Sequence, residues 1–250
     1  MNFKSVTINL LLTTLSGGVL LQTLEAQAAS ITFDPWNFTP PIVTTNPTET
    51  FLAGGGGSAS PRTLKAFAQA TSTNAQGSGP TQSARTIISL SNFFTVTPET
   101  GEKNGDKVKG VLSGRLQGAY GSEPAFGGNV GSFTSDVVAS VNAGFASWNS
   151  SPRRLLSNVP GPRPINELIN EEGMLTIGER YQLNMRLEVF AETAMGYSQP
   201  FSNFSGDGQG FTVNLRAEPV PEPLTMLASA TALGFGAFFK REHSKNQKKC

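Results

Sequence analysis

In residues 29–219 of this 250-residue chain, carboxylates are the side chains best suited to acid–base catalysis. The only histidine is His243 and the only cysteine is Cys250, both close to the C-terminus. Residues 29–219 contain neither, which excludes Ser-His-Asp and Cys-His catalysis there, along with imidazole or thiolate zinc sites and disulfides. The sequence predicts no cofactor.

Two pairs of carboxylates could serve a hydrolase. Glycoside hydrolysis needs two carboxyl groups across a cleft, at a separation that sequence does not reveal. Glu188 and Glu192 share one face of a predicted strand, roughly 13 Å apart, and Glu171 is followed directly by Glu172. Solvated surface charges are the alternative interpretation of both pairs. No catalytic residue is predicted, and a carboxylate-based hydrolase is the third of three candidate functions.

Two turns offer weak calcium candidates, Asp106 and Asp207. Glu99 and Glu102 lie in the same predicted turn as Asp106, and glycines flank Asp207. Calcium takes six to eight oxygen ligands, which loops of exported β-proteins can supply. The spacing matches no EF-hand, so solvated turns are the alternative and no metal site is predicted.

Aromatic side chains could bind sugar rings by stacking. Trp148 and Trp36 are the candidates, Trp148 first because it closes a predicted strand ahead of a Pro-rich loop. Packing in the core or anchoring of a loop is the alternative role for both.

Positive and negative side chains are nearly equal in number in residues 29–219. Residues 29–219 hold 13 of the 19 Lys and Arg and 15 of the 18 Asp and Glu, which gives a net charge of −2. Binding to nucleic acid needs concentrated positive charge, so this balance predicts no nucleic-acid partner.

Alternation of apolar and polar residues predicts a mainly β protein, an antiparallel β-sandwich of jelly-roll-like form, over residues 84–219. We expect residues 86–96 and 107–120 to be strands that form a hairpin, residues 174–193 to be the clearest strand, and residues 165–172 to form a helical turn. Three glycines of 107–120 predict a curved strand or the close approach of another layer. Residues 29–83 are rich in Pro, Gly and Thr, which predicts an irregular segment with at most one edge strand.

The two ends have the composition of processing segments. Residues 1–28 resemble a secretory signal peptide, with Lys4 before an apolar core and the Ala26-Gln27-Ala28 sequence as its cleavage site. At the other end, Pro221-Glu222-Pro223 precedes sixteen uncharged residues, 224–239, and then Lys240-Arg241 and a basic tail. The uncharged run predicts a single membrane helix, and the basic residues would hold its end in the cytoplasm.

Residues 220–250 resemble the PEP-CTERM sorting signal of bacterial surface proteins. The resemblance implies recognition by an exosortase-type membrane protease, cleavage near Pro221-Glu222-Pro223, and release or attachment at the cell surface. An ordinary membrane anchor with a Pro-rich stalk is the alternative. The sequence thus predicts passage through the inner membrane by signal peptidase and the export machinery, transient anchoring by the C-terminal helix, and a final place at the surface or outside the cell.

The expected function is a structural or adhesive role, without catalysis, in the envelope or the extracellular polysaccharide matrix. The alternative is a carbohydrate-binding module that uses loop aromatics, with calcium as a candidate helper. Extracellular polysaccharide is the candidate partner in either case.

Overall fold

The computed structural model describes residues 29–46, 53–72, 81–99, 102–123, 132–150, 153–157, 159–193 and 198–220. Within these ranges the chain forms strands and turns only, and none contains a helix long and apolar enough to cross a bilayer. The predicted signal peptide with Ala26 and Ala28 lies outside the described residues. So do Pro221, Glu222, Pro223, the predicted membrane helix, Lys240 and Arg241.

Thirteen described strands form two antiparallel sheets, as the alternation predicts. The first sheet contains β1 (Ala29–Phe33), β2 (Ile42–Asn46), β5 (Gln82–Pro98), β7 (Phe133–Asn142), β8 (Ser147–Asn149), β9 (Arg153–Ser157) and β11 (Arg180–Thr193). The second contains β3 (Ala53–Ser60), β4 (Thr63–Ala70), β6 (Lys107–Glu123), β10 (Gly161–Thr176), β12 (Gln199–Asn203) and β13 (Gly210–Glu218).

Each sheet is organised around its long strands. In the first, β5 pairs with β1 and β2 on one side and with β11 on the other; β7 follows β11, and β8 and β9 complete that edge. In the second, β6 pairs with β10 on one side and with β12 and β13 on the other, followed by β4 and then β3. The outer face of each sheet is therefore a platform several strands wide.

One hydrophobic core lies between the sheets. On β11 the buried residues alternate from Leu183 to Ala191, and on β5 Ile88, Leu90 and Phe94 are buried as the sequence predicts. The opposing second sheet contributes the fully buried Leu112 on β6, among others. Burying a Leu or Phe side chain stabilises a fold by about 1.5–3 kcal/mol, so these inward faces carry the stability of a protein whose described part contains no cysteine.

The predicted hairpin of residues 86–96 and 107–120 is wrong, although both segments are strands. β5 belongs to the first sheet and β6 to the second, and each pairs with other strands. The Asn104-Gly105 turn is present, with Gly105 at φ +96°, but Gly105 N–H donates to the carbonyl oxygen of Ile177 at 2.9 Å. Two strands that each have one apolar face can be neighbours in the same sheet or lie in two stacked sheets. Period-two alternation does not distinguish these arrangements.

The predicted helical turn at residues 165–172 is also wrong, since these residues lie in β10. Ile165 and Ile169 are buried while Leu168 is 76% exposed. A spacing of four residues returns a side chain to the same face in a helix and also in a strand. The long free edge of β6 supplies sixteen partners for β10, and this tertiary pairing decides the outcome.

The expectation that residues 29–83 are irregular with at most one edge strand is wrong as well, because β1 to β4 lie there. The glycine run of residues 54–57 forms much of β3 and passes close to the first sheet. A Cβ on Gly57 would lie 2.1 Å from Ile88 Cδ1 and 2.3 Å from the carbonyl oxygen of Lys65, and one on Gly55 would lie 2.5 Å from Thr86 Oγ1. At Gly55 and Gly57 the space is thus too narrow for a side chain.

One glycine of β6 confirms the predicted close approach of another layer: a Cβ on Gly110 would lie 2.7 Å from a ring carbon of Phe145, between β7 and β8 of the first sheet. At Gly118 the close neighbour belongs to the same sheet, since a Cβ there would lie 2.3 Å from a ring carbon of Phe204, directly after β12. Aromatic rings therefore occupy the space that side chains at these positions would need.

The glycine run gives a matched pair of substitutions. We expect Gly57→Ala to lower the free energy of unfolding by about 1–3 kcal/mol, because the added methyl group overlaps backbone and a core side chain. Gly54→Ala, with nothing within 4 Å of its Cβ, should change it by less than about 0.5 kcal/mol. Chemical denaturation followed by circular dichroism measures both, and equal effects would contradict the close approach.

Candidate functional site

A shallow groove of about 410 Å³ lies on the outer face of the first sheet and is called here the first groove. It crosses four strands. Its side chains are mainly hydroxyls and amides, with one guanidinium: Ser89, Ser91, Ser140, Asn142, Ser147, Asn149, Asn184 and Arg186. Such a lining can donate and accept many hydrogen bonds at once.

Strand register arranges these side chains in two rows. Asn184 on β11 lies opposite Ser91 on β5 and Asn142 on β7, and Asn142 lies opposite Ser147 on β8. The second row places Arg186 in the same way between Ser89 and Ser140, with Asn149 beyond. Neighbouring strands are about 4.8 Å apart, so each row presents a polar group at that repeat.

Hydrogen bonds hold one end of the first row in place. Ser91 Oγ donates to Asn184 Oδ1 at 2.8 Å, and Gln182 Nε2 donates to Ser91 Oγ at 3.0 Å. These contacts occupy the amide oxygen of Asn184 and leave its two N–H donors without a protein acceptor among the described residues. The hydroxyls of Ser89 and Ser140 and the amide of Asn149 likewise make no side-chain hydrogen bond within that part of the chain. The groove thus keeps unused donors and acceptors.

An ion-pair network borders the groove. Glu188 accepts a hydrogen bond from Arg186 Nη2 at 2.5 Å and another from Arg85 Nε at 2.8 Å. Partial burial pushes the pKa of Glu188 upward, but the hydrogen bonds and charges of the two arginines outweigh this and hold it below the ordinary value of 4.5. Glu188 is therefore ionised and paired with arginines, so it holds no proton that it could donate as a general acid.

The carboxylate pairs singled out from the sequence are not brought together across a cleft. Glu171 and Glu172 are successive residues of β10, so their side chains leave the sheet on opposite faces. Glu172 Oε1 lies 2.7 Å from Lys109 Nζ, and this contact raises the pKa of the lysine. Glu192 lies four residues beyond Glu188 on β11, opposite Thr134.

The two calcium candidates lie in different turns. Asp106 Oδ2 accepts the backbone N–H of Lys103 at 2.9 Å and so closes its own turn. Asp207 is exposed in the turn that joins β12 to β13. Among the described residues there is no group of three or more acidic, His or Cys side chains that could hold a metal ion.

Trp148 and Trp36 both pack against the core and lie outside the first groove. Trp148 on β8 is opposite the buried Val141, and its ring centroid is 5.7 Å from that of Phe211 on the second sheet. Trp36 follows β1, with its ring 5.0 Å from Phe33 and stacked on Phe38 at 6.4 Å. Core packing or loop anchoring, the alternative role in the sequence analysis, describes both contacts.

The groove residues were visible in the sequence only as the polar half of alternating strands. Ser89, Ser91, Asn184 and Arg186 are outward-facing by that pattern, as expected. The alternation did not reveal the register between strands, which places these side chains beside Asn142 and Asn149. A further signal was their type, since small hydroxyls and amides replace the Lys and Glu common on exposed strands.

Comparison with known proteins identified no relative: no family model, curated protein or solved structure matches this chain.

Acid should weaken the Glu188 network. Because the folded-state pKa is lowered, the network stabilises the fold above pH 4.5 and its contribution is lost as the pH falls through the lowered pKa. We expect wild type to exceed Glu188→Gln in unfolding free energy by about 0.2–1 kcal/mol near neutral pH, since the pair is partly solvated. We expect this difference to shrink as the pH falls below 4.5 and through the lowered pKa. Denaturation across this range measures it.

Carbon-13 NMR of the Glu188 carboxyl provides the control. Arg85→Gln should raise the pKa of Glu188, because it removes one of the two positive partners. A wild-type value at or above 4.5 would contradict the network.

Proposed function

We propose that this protein is exported and surface-sorted, and that it has a structural or adhesive role, without catalysis, in the bacterial envelope or the extracellular polysaccharide matrix. Support comes first from the ends of the sequence. A signal-peptide-like segment precedes β1, and the resemblance to a PEP-CTERM signal begins directly after β13. On this proposal, signal peptidase and an exosortase-type protease process the chain, and residues 224–239 anchor it transiently in the inner membrane.

The observation that carries the adhesive role is the pair of polar rows in the first groove. A surface that adheres to a hydrated polymer needs many hydrogen-bonding groups at a regular repeat on a rigid support. The rows supply eight such side chains on four paired strands. Hydrogen bonds of this kind contribute about 0.5–1.5 kcal/mol each, so adhesion would come from their number.

A carbohydrate-binding module is the second candidate, and the chemistry of the groove favours it. Polysaccharides offer hydroxyls in both donor and acceptor roles, which hydroxyl and amide side chains can match. The contact would then use Asn184 and its neighbours, with no need for Trp148. We further propose that the two-sheet body is the jelly-roll-like ectodomain expected from the alternation, because its two layers leave such a face open to a polymer.

Export and sorting are tested by mass spectrometry of the mature protein from the bacterium that makes it. We expect an N-terminus at residue 29 or 30 and a C-terminus near Pro221-Glu222-Pro223. The burial of Ala29 at the start of β1 favours cleavage after Ala28, because loss of Ala29 would remove a core side chain. An intact 250-residue chain in the cytoplasmic fraction would contradict the proposal.

Adhesion is tested by electrophoresis of the full chain in gels containing extracellular polysaccharide from the same organism. We expect the double variant Asn149→Ala/Asn184→Ala to be retained roughly tenfold less than wild type, since two hydrogen-bonding groups are lost. Asn214→Ala, which removes an exposed amide from the second sheet, is the matched control. Equal retention of the double variant and wild type would argue against the first groove.

A further inference from the structure

A second groove, of about 210 Å³, lies on the outer face of the second sheet. We call it the second groove. It differs from the first in having aromatic rings among its polar groups: its side chains include Phe67, Gln69, Glu123, Gln199, Phe201 and Asn203.

Strand β12 forms the middle of this groove, between β4 and β6. Phe201 lies opposite Gln69 on β4 and Gly121 on β6. Asn203 lies opposite Phe67, and Gln199 lies opposite Glu123. Each aromatic side chain therefore lies opposite an amide side chain on the adjacent strand, about 5 Å away.

Glycines keep the surroundings of the rings open. The Phe67 ring lies over Gly56 on β3, where a Cβ would be 2.8 Å from ring carbon Cε1. Next to it, Gly54 has nothing within 4 Å of a built Cβ, and Gly121 leaves no side chain beside Phe201. Phe67 is 37% exposed as a result. The second groove is thus a shallow surface with two aromatic rings and three amides.

This combination fits one class of ligand. A sugar ring has an apolar C–H face and a rim of hydroxyls, so an aromatic ring can cover the face while amides bind the rim. The only charge in the lining is the carboxylate of Glu123, which disfavours an anionic sugar. We propose that the second groove binds neutral sugar units of a polysaccharide, a proposal that rests on the proposed adhesive function and extends it to the opposite sheet.

Two grooves on opposite outer faces have a mechanical consequence. The sheets are stacked about 10 Å apart, and the core between them separates the two grooves. A polysaccharide segment lying in one groove cannot contact the other, so one protein molecule would hold two segments. The protein would then cross-link the polymer.

The test uses the full chain in detergent, with extracellular polysaccharide from the same organism as the probe. Phe67→Leu/Phe201→Leu removes both flat rings and keeps apolar volume, and Gln69→Ala/Gln199→Ala removes amides and leaves the rings. Phe93→Leu is the matched control: Phe93 is 39% exposed on the first sheet, but the Arg180 guanidinium already covers its ring at 4.1 Å. Gel retention measures affinity, light scattering measures cross-linked clusters, and unfolding midpoints verify folding.

We expect each second-groove variant to be retained at least roughly fivefold less than wild type, as for truncation of an interface anchor, and to form no clusters. Phe93→Leu should behave as wild type. Combining a second-groove variant with Asn149→Ala/Asn184→Ala should abolish retention.

The two proposals fail in different ways. Second-groove variants that fold and are retained and clustered as well as wild type would overturn the second site, while sensitivity to Asn149→Ala/Asn184→Ala would still support adhesion through the first groove. A wild-type chain that the polysaccharide does not retain would overturn both.

Discussion

The close contact of the two sheets along β3, β4 and β5 is the constraint on which the rest of the structure depends. Gly55 and Gly57 allow β3 to lie against the first sheet, and Thr86 Oγ1 donates to the carbonyl oxygen of Phe67 at 2.8 Å across the layers. Elsewhere Ser202 Oγ on β12 lies 2.9 Å from the carbonyl oxygen of Phe190 on β11. These contacts fix the spacing of the layers, and a fixed spacing gives two rigid outer faces on which side chains keep strand repeats.

Charge compensation on those faces supports the proposed adhesive role. Glu188 is paired with two arginines, Glu172 with Lys109, and Asp34 with Arg180. A carboxylate held ionised by a cation is a poor proton donor, and ion pairs this exposed contribute little stability. In the two grooves most of the lining side chains are hydroxyls, amides and aromatic rings, and this set suits a neutral, hydroxyl-rich polymer.

The sequence predicted the strands better than their partners. Alternation identified β5, β6 and β11 and their buried faces because it depends only on the geometry of one extended segment. Local patterns failed at residues 165–172, where Asn166 followed by the apolar Leu168 and Ile169 indicated a helical turn. They also failed at the glycine run typical of linkers, where Gly55 and Gly57 lie in a narrow gap between the sheets. In each case the deciding partner, β6 or β5, is distant in sequence, so no local pattern contains it.

The same distinction applies to the candidate sites. The sequence alone determined that residues 29–219 contain no histidine or cysteine, that the β content is high, and that Ser91, Asn184 and Arg186 face outward. Only the tertiary structure decided that Trp148 packs on Phe211 and that Asn184 lies between Ser91 and Asn142. It also decided that Phe67 and Phe201 both lie in the second groove, next to glycines. The physical reason is that side-chain direction follows the two-residue period of a single strand, whereas register and layer packing depend on contacts between residues far apart in the chain.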